Sequence, residues 1–349
     1  MIMHHLHQLL DANQAFALNG RGTTNHCPMA LHALHEMGAS PVRLQRFFAH
    51  WQANHALPGG EQQQGDEKEM QFVRLRQQLA ARLADEGWLL AFGDLLEQEL
   101  SPAGGAFHPL IRLACALENG HLGEQAAALA AWQCSPLRVP AGQGAPVLDI
   151  DDLLSVLAQQ WEGSRWQGEW ITERLRQVTD APTWAARLPG GLPSSSDLLV
   201  QLADAALALY WQSGNFTVLH MVTGSRAAAI VARHLPASWQ GRWQTLMWQA
   251  VAAAYVTVGA PSLQRPVWPD TSKLVWQHVL ASAVESLDDH VIKLVHCCWR
   301  EGLARPLLAE RYLAVAARAT GLLAPLSRPE PSKGWAPQDG AAPRRRAAG

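Results

Sequence analysis

An all-α protein, a single large irregular multi-helix domain over residues 1–326 with a disordered tail at 327–349, is what three features of the sequence predict. Apolar residues recur at three- and four-residue spacing through most segments, the period of a helix face turned toward a core. Strand-like alternation of β-branched residues is scarce, and no Asn-Gly or Asp-Gly hairpin joins two such runs. From about Ser327 the sequence SRPEPSKGWAPQDGAAPRRRAAG loses all periodicity.

Taken along the chain, each helix has its own signature. In TTNHCPMALHALHEMG, Pro28 suits the first helical position, which places His26 at the helix start. PVRLQRFFAHWQ and QFVRLRQQLAARLADEGWLLAFGDLLEQEL follow as amphipathic helices. In GGAFHPLIRLACALE, His108 precedes Pro109 and repeats the placement of His26, after two glycines that permit close backbone approach. DLLVQLADAALALYWQ is amphipathic, whereas NFTVLHMVTG is apolar on nearly every side and should bury His220. In DDHVIKLVHCCW, Asp288 and Asp289 suit the N-cap or first turn, and His290 and Lys293 share one helix face. ERYLAVAARATGLLAPL closes the pattern. Stretches such as ALPGGEQQQGDEKE, VPAGQGAP and LPGGLPSSS read as loops within one helical body, and no repeat of fixed period marks a regular solenoid.

Composition narrows the function classes. With 48% apolar and 17% charged residues and a formal charge of −2, the chain lacks the basic character of a nucleic-acid binder. Its apolar runs, WQAVAAAYVTVGA among them, fall short of the roughly 20 residues a membrane span needs. Five cysteines without a CxxC pair, and no secretory leader, suit a cytoplasmic location. NGRGTT lacks the third glycine and the strand of a dinucleotide fingerprint, and no GxxxxGK[ST], HExxH or GxSxG occurs. Any chemistry must therefore come from residues dispersed along the chain.

Histidine and lysine carry the remaining signal. Among 15 histidines, His4, His5 and His7 fall at an N-terminus expected to fray, and His50, His55, His121 and His234 near helix ends or loops. His26, His108, His220 and His290 instead sit in buried or helix-start contexts, where a neutral imidazole is favoured and is available as a metal ligand. A hydrogen-bonded core histidine is the plainer reading of any one of them. The basic residues are nearly all arginine, so Lys293 inside an apolar helix suggests something only an amine supplies, although a salt bridge to Asp288 or Asp289 would also account for it.

NHCPMALHALHEMGASPVRLQRFF, FHPLIRLACALE, NFTVLHMVTGSRAA and DDHVIKLVHCC together resemble the questin oxidase-like family, whose fungal members open anthraquinone rings oxidatively in aromatic polyketide pathways. The resemblance spans residues 20 to about 305. It implies a non-haem iron oxygenase using O2, in which histidines and a carboxylated lysine hold Fe(II). Carried over by residue, the implied metal ligands are His26, His108, His220, His290 and Lys293, with His290 and Lys293 central to catalysis. Where the fungal pattern has a second histidine one turn after the first, this chain has Ala30, with His32 and His35 further on. The family's description also mentions NADPH, for which this sequence offers no binding motif.

The chemistry is coherent. Imidazoles favour a transition metal over Mg or Ca, and a lysine carbamate would supply an anion. The implied partner is a small aromatic substrate, with no nucleic acid or membrane, and Trp211, Trp276 and Trp299 are candidates to wall its pocket. Two alternatives remain open, namely a zinc-type metallohydrolase built on the same carbamate and a non-catalytic helical binding protein. The sequence does not indicate the oligomeric state.

Overall fold

The chain's apolar periodicity becomes sixteen α-helices among the described residues, which are 2–14, 25–55, 67–262 and 264–325 of a computed structural model. In chain order they are α1 (Ile2–Asn13), α2 (Cys27–Glu36), α3 (Pro41–His55), α4 (Glu67–Glu86), α5 (Trp88–Glu97), α6 (His108–Asn119), α7 (Leu122–Cys134) and α8 (Ile150–Trp161). There follow α9 (Ile171–Thr179), α10 (Trp184–Arg187), α11 (Leu198–Ser213), α12 (Phe216–Ala232), α13 (Ala237–Thr257), α14 (Trp276–Glu285), α15 (Asp289–Ala304) and α16 (Ala309–Ala319). No strand forms among the described residues, and β-structure is limited to an isolated bridge between Gly144 and Pro189. NGRGTT, most of ALPGGEQQQGDEKE and the tail at 327–349 lie outside the described residues.

The helix that is apolar all round takes the centre. Residues of α12 are buried on every face, and α6, α11, α13 and α15 pack around it. Its start is fixed by Asn215, whose side chain accepts from the backbone N–H groups of Thr217 and Val218. Asp288 caps α15 in the same way, accepting from His290 and Val291. That sets the rotation of the helix carrying His290 and Lys293.

Two apolar clusters make up the interior. The larger is built from α4 through α16, and the smaller from α1, α2 and α3 with Ile292 of α15. Helices α2 and α15 belong to both, since Met29 and Leu294 face the larger cluster while Ala30 and Ile292 face the smaller. The seam between the clusters therefore runs along the α2–α15 contact. One expectation is corrected here: residues 2–13 do not fray but form α1, with Leu6 and Leu10 fully buried and His7 Nε2 2.9 Å from the carbonyl of Asn119.

No helix among the described residues is long and apolar enough to cross a membrane. Cys27, Cys115, Cys297 and Cys298 are free thiols.

Candidate metal centre

Four helices, the two of the seam together with α6 and α12, each deliver one histidine to the same place. His26 is the N-cap of α2, His108 the first residue of α6, His220 lies in the first turns of α12, and His290 in the first turn of α15. Their rings are in mutual contact, with centroids 4.3 Å apart for His26 and His108, 4.6 Å for His108 and His220, 4.9 Å for His26 and His290, and 5.4 Å for His220 and His290. His26, His108 and His290 each offer a ligand atom within 4.8 Å of the others. His220 lies outside that mutually close trio and meets it through His108, Nε2 to Nε2, at 2.9 Å.

That contact is chemically informative. His108 Nδ1 lies 2.7 Å from the carbonyl oxygen of Gly105, and His220 Nδ1 lies 2.8 Å from that of Phe216. A carbonyl only accepts, so each Nδ1 carries the hydrogen and each neutral ring keeps a lone pair at Nε2. Two lone pairs then face one another at 2.9 Å. A proton between them would resolve the conflict, but burial and the neighbouring imidazoles and Lys293 hold His108 well below the usual histidine range. Burial, then the Lys293 charge, lowers His220 to about 3. The arrangement favours a different cation.

His26 and Lys293 converge on one carboxylate. Asp289 Oδ2 accepts from His26 Nδ1 at 2.7 Å and from Lys293 Nζ at 2.8 Å. Burial would raise the Asp289 carboxyl, but the Lys293 and histidine charges outweigh it and hold the group well below its ordinary range. His290 Nδ1 stands 3.5 Å from Asp289 Oδ1 and 3.8 Å from Asp288 Oδ1, while its Nε2 is buried with no hydrogen-bond partner. Burial first, and the Lys293 charge next, keep His290 well below the usual histidine range. An imidazole fixed at Nδ1 by a carbonyl or carboxylate, with Nε2 turned inward, is the usual arrangement around a bound transition metal.

The local backbone is shaped to make this possible. Gly105, Ala106 and Phe107 adopt φ values of 58°, 57° and 65°, a left-handed run that turns the chain sharply into α6. Two of these are non-glycine residues, a conformation that costs roughly 1–3 kcal/mol each and that the surrounding packing must hold. The Phe107 ring lies on α12 where Gly224 has no side chain, and a Cβ there would come within 2.8 Å of it. Gly224 stands one turn beyond His220, so this close approach brings the α6 start, and His108, onto His220.

The cluster is graded from inside to outside. His220 and His108 are 1% and 5% exposed, whereas the side chains of His26, Asp289 and His290 are 12%, 17% and 20% exposed. Phe216, 44% exposed, packs its ring 4.7 Å from both His220 and His290. The aromatic at the site is therefore Phe216. Of the tryptophans expected to wall it, Trp211 stacks on Trp268, Trp299 faces His296, and Trp276 packs beside Gly302.

His32 and His35, the other first-helix histidines, go elsewhere. His32 Nε2 meets Glu118 at 3.2 Å and its ring abuts His296; burial, the largest influence, lowers His35. Sequence reasoning passed over Phe216 and the group formed by Glu118, Arg226 and His296 behind Lys293. Asp289 was visible as an N-cap or first-turn residue and, with Asp288, as a salt-bridge candidate for Lys293.

A family model described as Questin oxidase-like matches residues 100–298, more than half of the chain. It covers α6, α12 and the part of α15 that holds His108, His220, His290 and Lys293. No curated protein matches the chain.

Proposed function

The chain belongs to the questin oxidase-like family, an oxidoreductase family, and from that premise we propose that it is a non-haem iron oxygenase acting on an aromatic, anthraquinone-like substrate. His26, His108, His220 and His290 would hold the metal, with Lys293 as its carbamate. The observation that carries the reading is the Nε2-to-Nε2 contact of His108 and His220, whose Nδ1 atoms both face backbone carbonyls and so turn the ring lone pairs toward each other. When bound, Fe(II) supplies a redox-active centre for O2, with NADPH a possible reductant by family description only.

The chain's own residues have separable tasks. The Gly105 and Phe216 carbonyls fix the tautomers of His108 and His220, and Asp289 fixes that of His26. The buried side of the cluster, under α6 and α12, excludes water. On the exposed side, beside His290, Phe216 offers a ring edge and face for stacking an aromatic substrate. Asp289 is the carboxylate that accepts from the Lys293 nitrogen, at 2.8 Å, and holds that nitrogen beside the histidines.

Proximity of the four rings counts against the non-catalytic binding protein, which has no need for facing lone pairs. Metal analysis of untagged protein purified without air, followed by O2 uptake with a hydroxyanthraquinone, tests the proposal and separates it from the metallohydrolase. Stoichiometric iron with substrate-dependent O2 uptake is the expected result. Stoichiometric zinc without O2 uptake would establish the hydrolase instead.

A further inference from the structure

One turn on from the histidine cluster, the four helices that carry it enclose a small, half-open cavity of about 30 Å³, against the roughly 10–15 Å³ that one water occupies on this measure. Its lining follows one rule. Met29, Ile111, Thr223 and Lys293 stand three residues after His26, His108, His220 and His290, and each borders the space. Ala33, Cys115, Ala227 and Cys297 stand four residues further on and border it as well. Residues at these spacings share one helix face, so each helix turns a continuous inner face first to the cluster and then to the cavity. At a rise of about 1.5 Å per residue, the cavity begins about 4.5 Å beyond the histidine along each helix.

The surface facing the space is almost wholly apolar, and the polar groups at its edge are engaged elsewhere. Arg226 donates to Glu118 at 2.7 Å and to Glu301 at 3.2 Å, and Glu118 also faces His32. Thr223 Oγ1 donates to the carbonyl of Leu219 at 3.2 Å, and Cys297 Sγ to that of Val222 at 3.8 Å. Lys293 Nζ is held by Asp289 at 2.8 Å, on the histidine side. Among the described residues of the wall, His296 Nε2 is the one buried side-chain polar atom without a hydrogen-bond partner. A buried water needs about two to four partners, and a single ring nitrogen does not supply them. An anion finds no free guanidinium, and an ordinary organic ligand needs roughly ten times the volume. An uncharged molecule about two waters long that asks for no hydrogen bonds fits what remains.

We propose that this cavity is a binding site for dioxygen, held one helical turn from the histidine cluster that consumes it. The inference rests on the oxygenase reading given above and adds where the co-substrate binds. Dispersion contacts with Met29, Ile111 and Ile230 hold the gas, and the small side chains of Ala33, Ala114 and Ala227 leave the room for it. No bond is made or broken on binding.

The test uses the full metal-free chain with ¹³C-labelled methyl groups, under oxygen pressure and then under the same pressure of nitrogen. Dioxygen is paramagnetic and speeds the NMR relaxation of methyl groups it touches. Methyls of Met29, Ile111, Ala114, Ala227 and Ile230 should show an oxygen-dependent enhancement several-fold larger than those of Leu6 and Leu10, which are similarly buried but belong to the cluster built from α1, α2 and α3. Equal enhancement of the two sets would overturn the proposal. So would water-to-methyl Overhauser transfer at the cavity set, which would assign the space to solvent. Ala114→Val puts added methyl groups into the space; it should abolish the excess enhancement and, in iron-loaded protein, raise KM for O2 several-fold with kcat unchanged. An unchanged KM for O2 in that variant would show that gas in the cavity does not serve the cluster, and the proposal would fall. Should Ala114→Val fail to fold by circular dichroism, Ala33→Val takes its place. Iron-loaded wild type that takes up no O2 with any aromatic substrate would remove the oxygenase reading, whereas relaxation in the metal-free chain decides separately whether the cavity binds the gas.

Discussion

At the scale of single residues, Lys293 is where two accounts of the site diverge. As an ammonium it is satisfied by Asp289 at 2.8 Å, and an arginine would satisfy that carboxylate at least as well. As a carbamate it is a ligand that arginine has no means to become. Lys293→Ala and Lys293→Arg should therefore both emerge without metal, by elemental analysis of protein folded to wild-type helicity; an arginine variant with full metal content would leave only the salt bridge. Phe216 sets up a second comparison. Its ring packs edge-on against His220 and His290 and is 44% exposed, so Phe216→Ala should raise KM for an aromatic substrate by roughly 2- to 10-fold, the worth of one aromatic contact. Metal content should stay unchanged, and loss of metal in that variant would show that the ring supports the histidines rather than the substrate. Neither Phe216 nor the orienting carbonyls were legible in the sequence. A phenylalanine at a helix start has no distinguishing spacing, and a backbone carbonyl has no sequence signature at all.

At the scale of elements, the helices that carry the histidines were legible because their apolar periodicity, and in two of them a proline at the start, marks them. Pro28 and Pro109 open α2 and α6, and Asn215 and Asp288 cap α12 and α15. What no local pattern encodes is the approach of α6 to α12, elements whose histidines are 112 positions apart. That approach depends on a cavityless fit between Phe107 and the missing side chain of Gly224. A Cβ at Gly224 would stand 2.8 Å from the Phe107 ring, which is fully buried and has nowhere to retreat. Gly224→Ala should thus displace the left-handed run before His108 and separate the two Nε2 atoms. The expected outcome is a loss of about 1–3 kcal/mol in denaturant unfolding together with a large drop in metal affinity by competition with a chelator. Helix propensity alone favours alanine, so a variant that is more stable and binds metal as wild type does would show that this fit does not position the site.

At the scale of the whole molecule, the packing that makes four histidines neutral ties folding to pH. Burial is the leading cause that lowers His108, His220, His290 and His296 in the folded chain, His220 to about 3. Unfolded histidines take up protons from about pH 6.5 downward, so below that value the unfolded state binds protons that the folded state refuses. Stability is then lost as pH falls from about 6.5 toward the depressed folded values, and regained as it rises. Asp289 adds a later stage of the same sign. Its folded carboxyl is held well below the ordinary range, so its contribution persists above about pH 4 and disappears beneath it. The metal-free protein should show a urea midpoint nearly flat between about pH 8 and 7 and falling steadily between about pH 6.5 and 4. His296, which faces His32 and Trp299 rather than the cluster, separates this general burial effect from ligand chemistry. His296→Phe should shallow the decline without changing metal content, because a phenylalanine has no proton to gain on unfolding. A midpoint that stays level to about pH 5 in the wild type would mean that these rings do not enter the folded protein as neutral, buried groups, and the facing lone pairs of His108 and His220 would lose their claim on a cation.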